Sequence, residues 1–128
     1  MNVKKNNPTE SELEILQILW DKATATVREV HDELEKFKET GYTTTLKTMQ
    51  IMIEKGLLER DTNQRNHIYS PLLTREYTQK HFLGKMLDGL FKGSASSLVI
   101  GALDQKHLTE SDIQEIKDYL KQFENSKP

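Results

Sequence analysis

Apolar residues recur along this chain in helical register, broken once by two short stretches of strand character. Leu13, Leu16, Leu19 and Trp20 follow Thr9-Glu10-Ser11-Glu12, whose T-x-x-E form is a capping box, so a short apolar helix is predicted to end near Lys22. Thr26-Val27-Arg28-Glu29 is another capping box. Val27, Val30, Leu34 and Phe37 then fall at i, i+3, i+7 and i+10, predicting an amphipathic helix with Glu29, Asp32, Glu33, Glu35, Lys36 and Lys38 on its solvated face. Gly41-Tyr42 interrupts the pattern. A third helix is expected from Thr44 to Lys55, ended by a left-handed residue at Gly56. Leu57-Leu58-Glu59-Arg60 and His67-Ile68-Tyr69-Ser70 read as short strands around the turn formers Asp61 to Asn66, with Pro71 stopping the second strand.

Helix, helix, helix, hairpin is the order of a winged helix-turn-helix, in which the third helix enters the DNA major groove and the hairpin wing lies beside it. The expected architecture is therefore mainly α with a small β-hairpin: a winged-helix DNA-binding domain over 1–73 and a helical dimerisation domain over 74–128.

In the tail, Thr74 is expected to cap a fourth helix lined by Leu83, Met86, Leu87, Leu90 and Phe91. Gly93-Ser94 breaks it. Ala95, Leu98, Val99, Ala102 and Leu103 suggest a fifth helix, and Thr109 caps a sixth whose stripe is Ile113, Ile116, Leu120 and Phe123. Glu124 to Pro128 should fray. So small a unit rarely supplies more than about 3–5 kcal/mol from its own core, so Leu83, Leu87, Leu90, Leu98, Val99, Leu103, Ile113, Ile116, Leu120 and Phe123 are expected to pack in a homodimer. Folding back onto the head is the other way to cover them.

A helical wheel of the third helix turns Thr45, Leu46, Met49, Met52 and Ile53 to the core. Thr44, Lys47 and Ile51 fall opposite, with Thr48 and Gln50 on the flanks. Thr43 and Thr44 can meet a phosphate at the helix start. Lys47 can reach a phosphate or a guanine edge, and Gln50 an adenine edge unless it is merely solvated. Ile51 suits a thymine methyl group or packs against the wing. Glu54 would repel phosphate and is expected beyond the contact zone. Arg60, Arg65 and His67 flank the wing, where cations grip the backbone or enter the minor groove, and Arg65 is the foremost candidate.

Composition sharpens this picture and tests it. Net charge is −2, so any DNA affinity must come from a local basic patch. The chain of 128 residues is 35% hydrophobic and 30% charged, polar for a globular monomer. Cysteine is absent, which removes disulfides and thiolate metal sites. Met1-Asn2-Val3-Lys4-Lys5 leads into polar sequence with no apolar signal core, and no apolar run is long enough to span a bilayer, so a cytoplasmic protein is expected. His31, His67, His81 and His107 lack metal-ligand spacing and no glycine-rich phosphate loop occurs; neither an enzyme, a cofactor, a metal nor a small-molecule substrate is expected.

The chain resembles the penicillinase-repressor and methicillin-regulator family (BlaI/MecI/CopY type) over nearly its whole length. The resemblance is carried by 11–20 (SELEILQILW), Thr26-Val27-Arg28-Glu29-Val30, Gly41-Tyr42-Thr43-Thr44, Glu54-Lys55-Gly56-Leu57-Leu58, His67-Ile68-Tyr69-Ser70-Pro71 and 93–99 (GSASSLV). It implies a homodimeric repressor on palindromic double-stranded operator DNA, induced through a membrane-bound sensor metalloprotease that leads to cleavage of the tail. The best-known members are cut at an Asn-Phe bond; the matching bond here is Gly101–Ala102. Those members carry arginines where this chain has Leu46 and Ile51, so their operator sequence does not carry over. The copper-responsive branch has a C-terminal cysteine cluster that this chain lacks. Other functions for the same architecture are a ligand-responsive regulator of MarR or PadR type and a winged-helix module for protein contacts.

Overall fold

Helices, a hairpin and a helical tail follow one another in the computed structural model, which describes residues 7–105 and 107–126. Met1 to Lys5, read above as too polar for a leader, and Lys127-Pro128 of the expected frayed end lie outside the described residues. Helix α1 runs over Glu10–Lys22 and α2 over Val27–Leu34, each opened by its expected capping box. Thr9 Oγ1 and Thr26 Oγ1 accept the N–H groups of Glu12 and Glu29, and each glutamate accepts the threonine N–H in return. The Thr26 N–H holds the Glu29 carboxyl below its ordinary value.

Helix α2 is shorter than its stripe suggests. It stops at Leu34, and Phe37 lies in the turns beyond it, 58% exposed instead of on the core face. Tight bonds from Lys36 N–H to Glu33 O and from Phe37 N–H to Leu34 O end the helix. Lys38 then ties the turn to α1 through Glu14, at 2.7 Å.

Helix α3 spans Tyr42–Glu54, starting two residues before the expected Thr44 because extended Gly41 alone is the cap. Gly56 ends it at φ +78°. Gly56 N–H donates to Ile53 O and Leu57 N–H to Met52 O, the paired bonds of a Schellman cap. That cap takes up Leu57, so the hairpin begins one residue later than its sequence pattern: β1 is Leu58–Asp61 and β2 is Ile68–Pro71. The strands pair antiparallel with Leu58 opposite Pro71 and Asp61 opposite Ile68. Pro71 therefore ends β2 from within. Tyr69 also exchanges both backbone bonds with Ala25, at 3.0 and 2.8 Å, which ties the α1–α2 connection to the wing's base.

The core joins Leu16 and Leu19 of α1, Val30 of α2, Met49 and Met52 of α3, and Leu57 and Leu58 at the start of the hairpin. One ion pair reinforces it. Lys55 Nζ lies 2.6 Å from Glu12 Oε1 and also donates to Asn7 O, joining the end of α3 to the start of α1. The Glu12 side chain is almost wholly buried, so its carboxylate depends on that partner. Lys55→Ala leaves only the Thr9 N–H on it among the described residues and should cost about 1–3 kcal/mol, read as a lower urea midpoint at unchanged slope.

Helix α4, Arg75–Lys85, is capped by Thr74 Oγ1, which accepts the Tyr77 N–H. Its first turns belong to the head. Thr78 is buried there, Arg75 pairs with Asp21 at 2.8 Å and lies over the Trp20 ring, and Trp20 Nε1 donates to Leu73 O at 2.8 Å. The first compact unit accordingly runs to His81 and the second begins at Phe82, whereas the sequence pattern divides the chain at 73/74.

The second unit is purely helical among its described residues. The expected single stripe from Leu83 to Phe91 is interrupted, because α4 gives way to a π-helical turn over Met86–Leu90. Phe91 N–H reaches back to Met86 O, which shifts the phase of the side chains. Left-handed Lys92 and Gly93 (φ +51° and +83°) make the break. Helix α5 is Ala95–Gln105 and α6 is Glu110–Asn125, the latter opened by a Thr109–Asp112 capping box. Glu124 and Asn125 are helical, not frayed. Among the described residues no helix is long and apolar enough to cross a membrane.

Candidate nucleic-acid interface

The buried side of α3 is set by Thr45, Met49 and Met52, with Leu46 and Ile53 half-buried beside them, the division its wheel predicts. Thr43, Thr44, Lys47 and Gln50 are therefore exposed on the other side, and Ile51 joins them at 40% exposure. Thr48 is half-buried and its hydroxyl donates to Thr44 O at 2.9 Å, so the helix already employs its proton. Lys47 makes no ion pair among the described residues. Glu54 is exposed in the last turn, at the far end from Thr43.

The start of α3 differs from the other well-capped helices. Helices α1, α2 and α6 each begin with a threonine cap and an acid in the first turn. Helix α3 begins at Gly41 with no side-chain cap and no acid in its first turn. Its first N–H groups and the positive end of its dipole are left for an external acceptor, and an anion is the natural one.

A buried pair holds this helix against α2. His31 Nδ1 is 3.0 Å from Thr45 Oγ1, and His31 Nε2 is 3.4 Å from Glu35 Oε1. The His31 ring meets Tyr42 at 84°, with centroids 5.6 Å apart. Tyr42 in turn carries the Arg28 guanidinium, 4.3 Å from its ring centroid. These contacts hold the first turn of α3 against α2.

The wing residues divide into separate groups. Arg65 and His67 are exposed and line a hollow of about 460 Å³ with Arg28, Tyr42 and Leu46. Arg60 lines a different hollow, with acidic Glu59 and Asp61. The structure thus brings Arg65 and His67 to the α3 start but does not bring Arg60 there. The Asp61 carboxylate accepts the Asn63 N–H at 2.9 Å, a turn that opens the wing loop.

Arg28 and Tyr42 belong to this surface and were not among the expected contacts. One signal in the sequence marks Arg28: a cation in the first turn of a helix opposes the dipole and calls for a compensating contact. Tyr42 gives no such sign, because its role depends on α3 starting at Gly41.

In the second unit no described residue is buried. Leu83, Leu90, Val99, Ile113, Leu120 and Phe123 are exposed, Leu90 to 74%, while Leu87, Leu98, Leu103 and Ile116 are half-buried. Gly101 and Ala102 lie inside α5, so their peptide bond is helical. Among the described residues no cluster of three His, Asp or Glu side chains is arranged to hold a metal ion.

A family model described as Penicillinase repressor matches residues 8–122 of the chain. A penicillinase repressor of Bacillus licheniformis is 26% identical over 120 residues, covering 93% of this chain and 93% of the relative. The methicillin resistance regulatory protein MecI of Staphylococcus aureus (strain N315) is 23% identical over 124 residues, covering 94% of this chain and 98% of the relative. A transcriptional regulator BlaI of Mycobacterium tuberculosis is 26% identical over 103 residues, covering 77% and 72% respectively.

Proposed function

The chain belongs to the penicillinase repressor family, a family of DNA-binding transcriptional repressors and not of enzymes, and on that premise we propose that it represses transcription as a homodimer seated on a palindromic operator. The observation that carries this reading is the outer side of α3. Thr43, Thr44, Lys47, Gln50 and Ile51 are all exposed there, the helix start is uncapped, and no acid stands between Thr43 and Gln50. Lys47 supplies a charge for phosphate or a guanine edge, Gln50 an amide for an adenine edge and Ile51 a methyl surface for thymine. Thr48 has the smallest part, since its hydroxyl proton is taken by Thr44 O. Arg65 and His67 extend the contact onto the backbone, and Arg60 lies to the side of it.

Two such helices give more affinity and specificity than one when a common scaffold holds them. The second unit is that scaffold in this reading. It has no buried side chain of its own among the described residues, and a second copy of the same apolar stripes completes it. Cleavage of the tail, initiated by a membrane-bound sensor metalloprotease, is the proposed route to induction. The Gly101–Ala102 bond sits within α5, so that helix must open before a protease can cut it.

The test is a salt titration of operator binding, using a duplex selected from a random library with the full chain. A steep fall of affinity with salt is expected, as released counterions require. Lys47→Ala should keep the thermal melting profile and lose about tenfold in affinity, since the contact is charge-assisted. A flat salt response would remove the DNA-binding reading of α3, and unchanged affinity in Lys47→Ala would remove that lysine from the contacts.

A further inference from the structure

Arg28 stands in an electrostatically poor place for a cation. It occupies the first turn of α2, whose dipole repels positive charge. It is exposed there and makes no ion pair among the described residues. The neighbouring Glu29 carboxylate makes no ion pair with it and instead accepts the Thr26 N–H at 2.9 Å. What holds Arg28 is the Tyr42 ring, 4.3 Å below its guanidinium carbon. That ring is itself fixed at the start of α3 by the buried His31.

Stacking employs the flat face of a guanidinium and leaves its N–H edges outward. Those edges suit an oxyanion with two acceptor oxygens. The hollow that Arg28 lines receives Arg65, Asn66 and His67 from the wing, and no acid lines it. In a chain of net charge −2, an acid-free concavity with two guanidinium groups concentrates positive potential locally. It adjoins the uncapped start of α3, through their shared Tyr42.

The geometry points to Arg28 as a phosphate-gripping residue: stacked on Tyr42, it holds a backbone phosphodiester of the bound duplex between α2 and the wing. This rests on the DNA-binding reading of α3 and adds to it a contact from another helix. The grip carries no sequence information. It sets the depth and angle at which α3 enters the groove, because the stacking ring belongs to α3 itself.

The experiment uses the full chain, a mixed-sequence duplex of about 30 base pairs and the selected operator, with affinity followed between about 50 and 200 mM salt. Arg28→Ala and the neutral, longer Arg28→Gln should weaken both duplexes alike, about five- to tenfold, and lower the log–log salt slope by about one per occupied half-site. Tyr42→Leu keeps the charge and removes the stacking face; it should weaken binding while the slope stays near that of the wild type. Inorganic phosphate added at constant ionic strength distinguishes a grip on the duplex from a site for the free anion. Binding indifferent to it supports the grip, and competition that disappears in Arg28→Gln overturns the assignment to duplex. If the wild type shows a steep salt slope and Lys47→Ala is impaired, but both Arg28 variants match the wild type in affinity and slope, the grip is refuted and the α3 reading stands. A wild type without a salt slope refutes both.

Discussion

If the protein pairs as proposed, replacing Leu120 with aspartate should leave monomers in sedimentation velocity, with operator affinity falling about 10²–10⁴-fold. Leu120 lies midway along the apolar stripe of α6 and is 54% exposed. Ile113 and Phe123 flank it, also exposed, with half-buried Ile116 on the same stripe. In the proposed dimer these side chains leave water together, and a carboxylate placed among them loses its hydration without gaining a partner. The penalty occurs in both copies. The affinity follows because a monomer contacts one half-site and must recruit the second from bulk solution instead of from its own partner. The head has its own core, so its melting transition should be unchanged. A variant that sediments as a dimer would remove α6 from the proposed interface, and a monomer with full operator affinity would break the link between pairing and DNA binding.

Leu19→Ala should have the opposite signature. Leu19 is 0% exposed, at the centre of the head where α1 meets the remaining core. Truncating it removes buried methyl groups and leaves a cavity, for an expected loss of about 2–5 kcal/mol. That approaches the whole stability of a small domain, so the head should be partly unfolded near 37 °C. Urea titration by circular dichroism checks it. A loss below about 1 kcal/mol would mean that the core collapses around the gap. DNA binding should disappear with the head's fold, whereas a tail that pairs as proposed still sediments as a dimer. The two substitutions thus separate the duties of the two units.

Much of the head could be read directly from its residues, since its signals are local. A threonine three residues before a glutamate marks the starts of α1 and α2 wherever the chain later goes. Gly56 marks the end of α3 in the same way. The errors lie where tertiary contacts decide. Phe37 continues the spacing of Val27, Val30 and Leu34, yet α2 stops because the chain must turn toward α3, and the Lys38–Glu14 pair that helps fix the turn joins residues far apart in sequence. The hairpin slipped by one residue because the Schellman cap claimed Leu57. The π-helical turn at Met86–Leu90 has no simple periodic signature, and a stripe drawn at 3.6 residues per turn runs straight through it.

The candidate interface was legible in part, for a related reason. Helical phase alone turns Lys47, Gln50 and Ile51 outward, and the exposures agree. The hollow shared by Arg28, Tyr42 and Arg65 joins α2, α3 and the wing, and no window of sequence contains all of them. Arg60 stands between Glu59 and Asp61 already in the sequence, where Arg65 is the foremost wing candidate. What only the fold supplies is the hollow that Arg65 shares with Tyr42 and Leu46 of α3.

The chain has a single tryptophan, and its indole N–H is bonded to Leu73 O while Arg75 lies over the ring. The fluorophore therefore straddles the seam between the winged helix and the first turn of α4. Its emission should shift to the red when that seam parts and stay silent when the second unit alone dissociates or is clipped. The protein carries a label-free optical reporter of one half of itself, so opening of the head can be timed whatever happens to the tail.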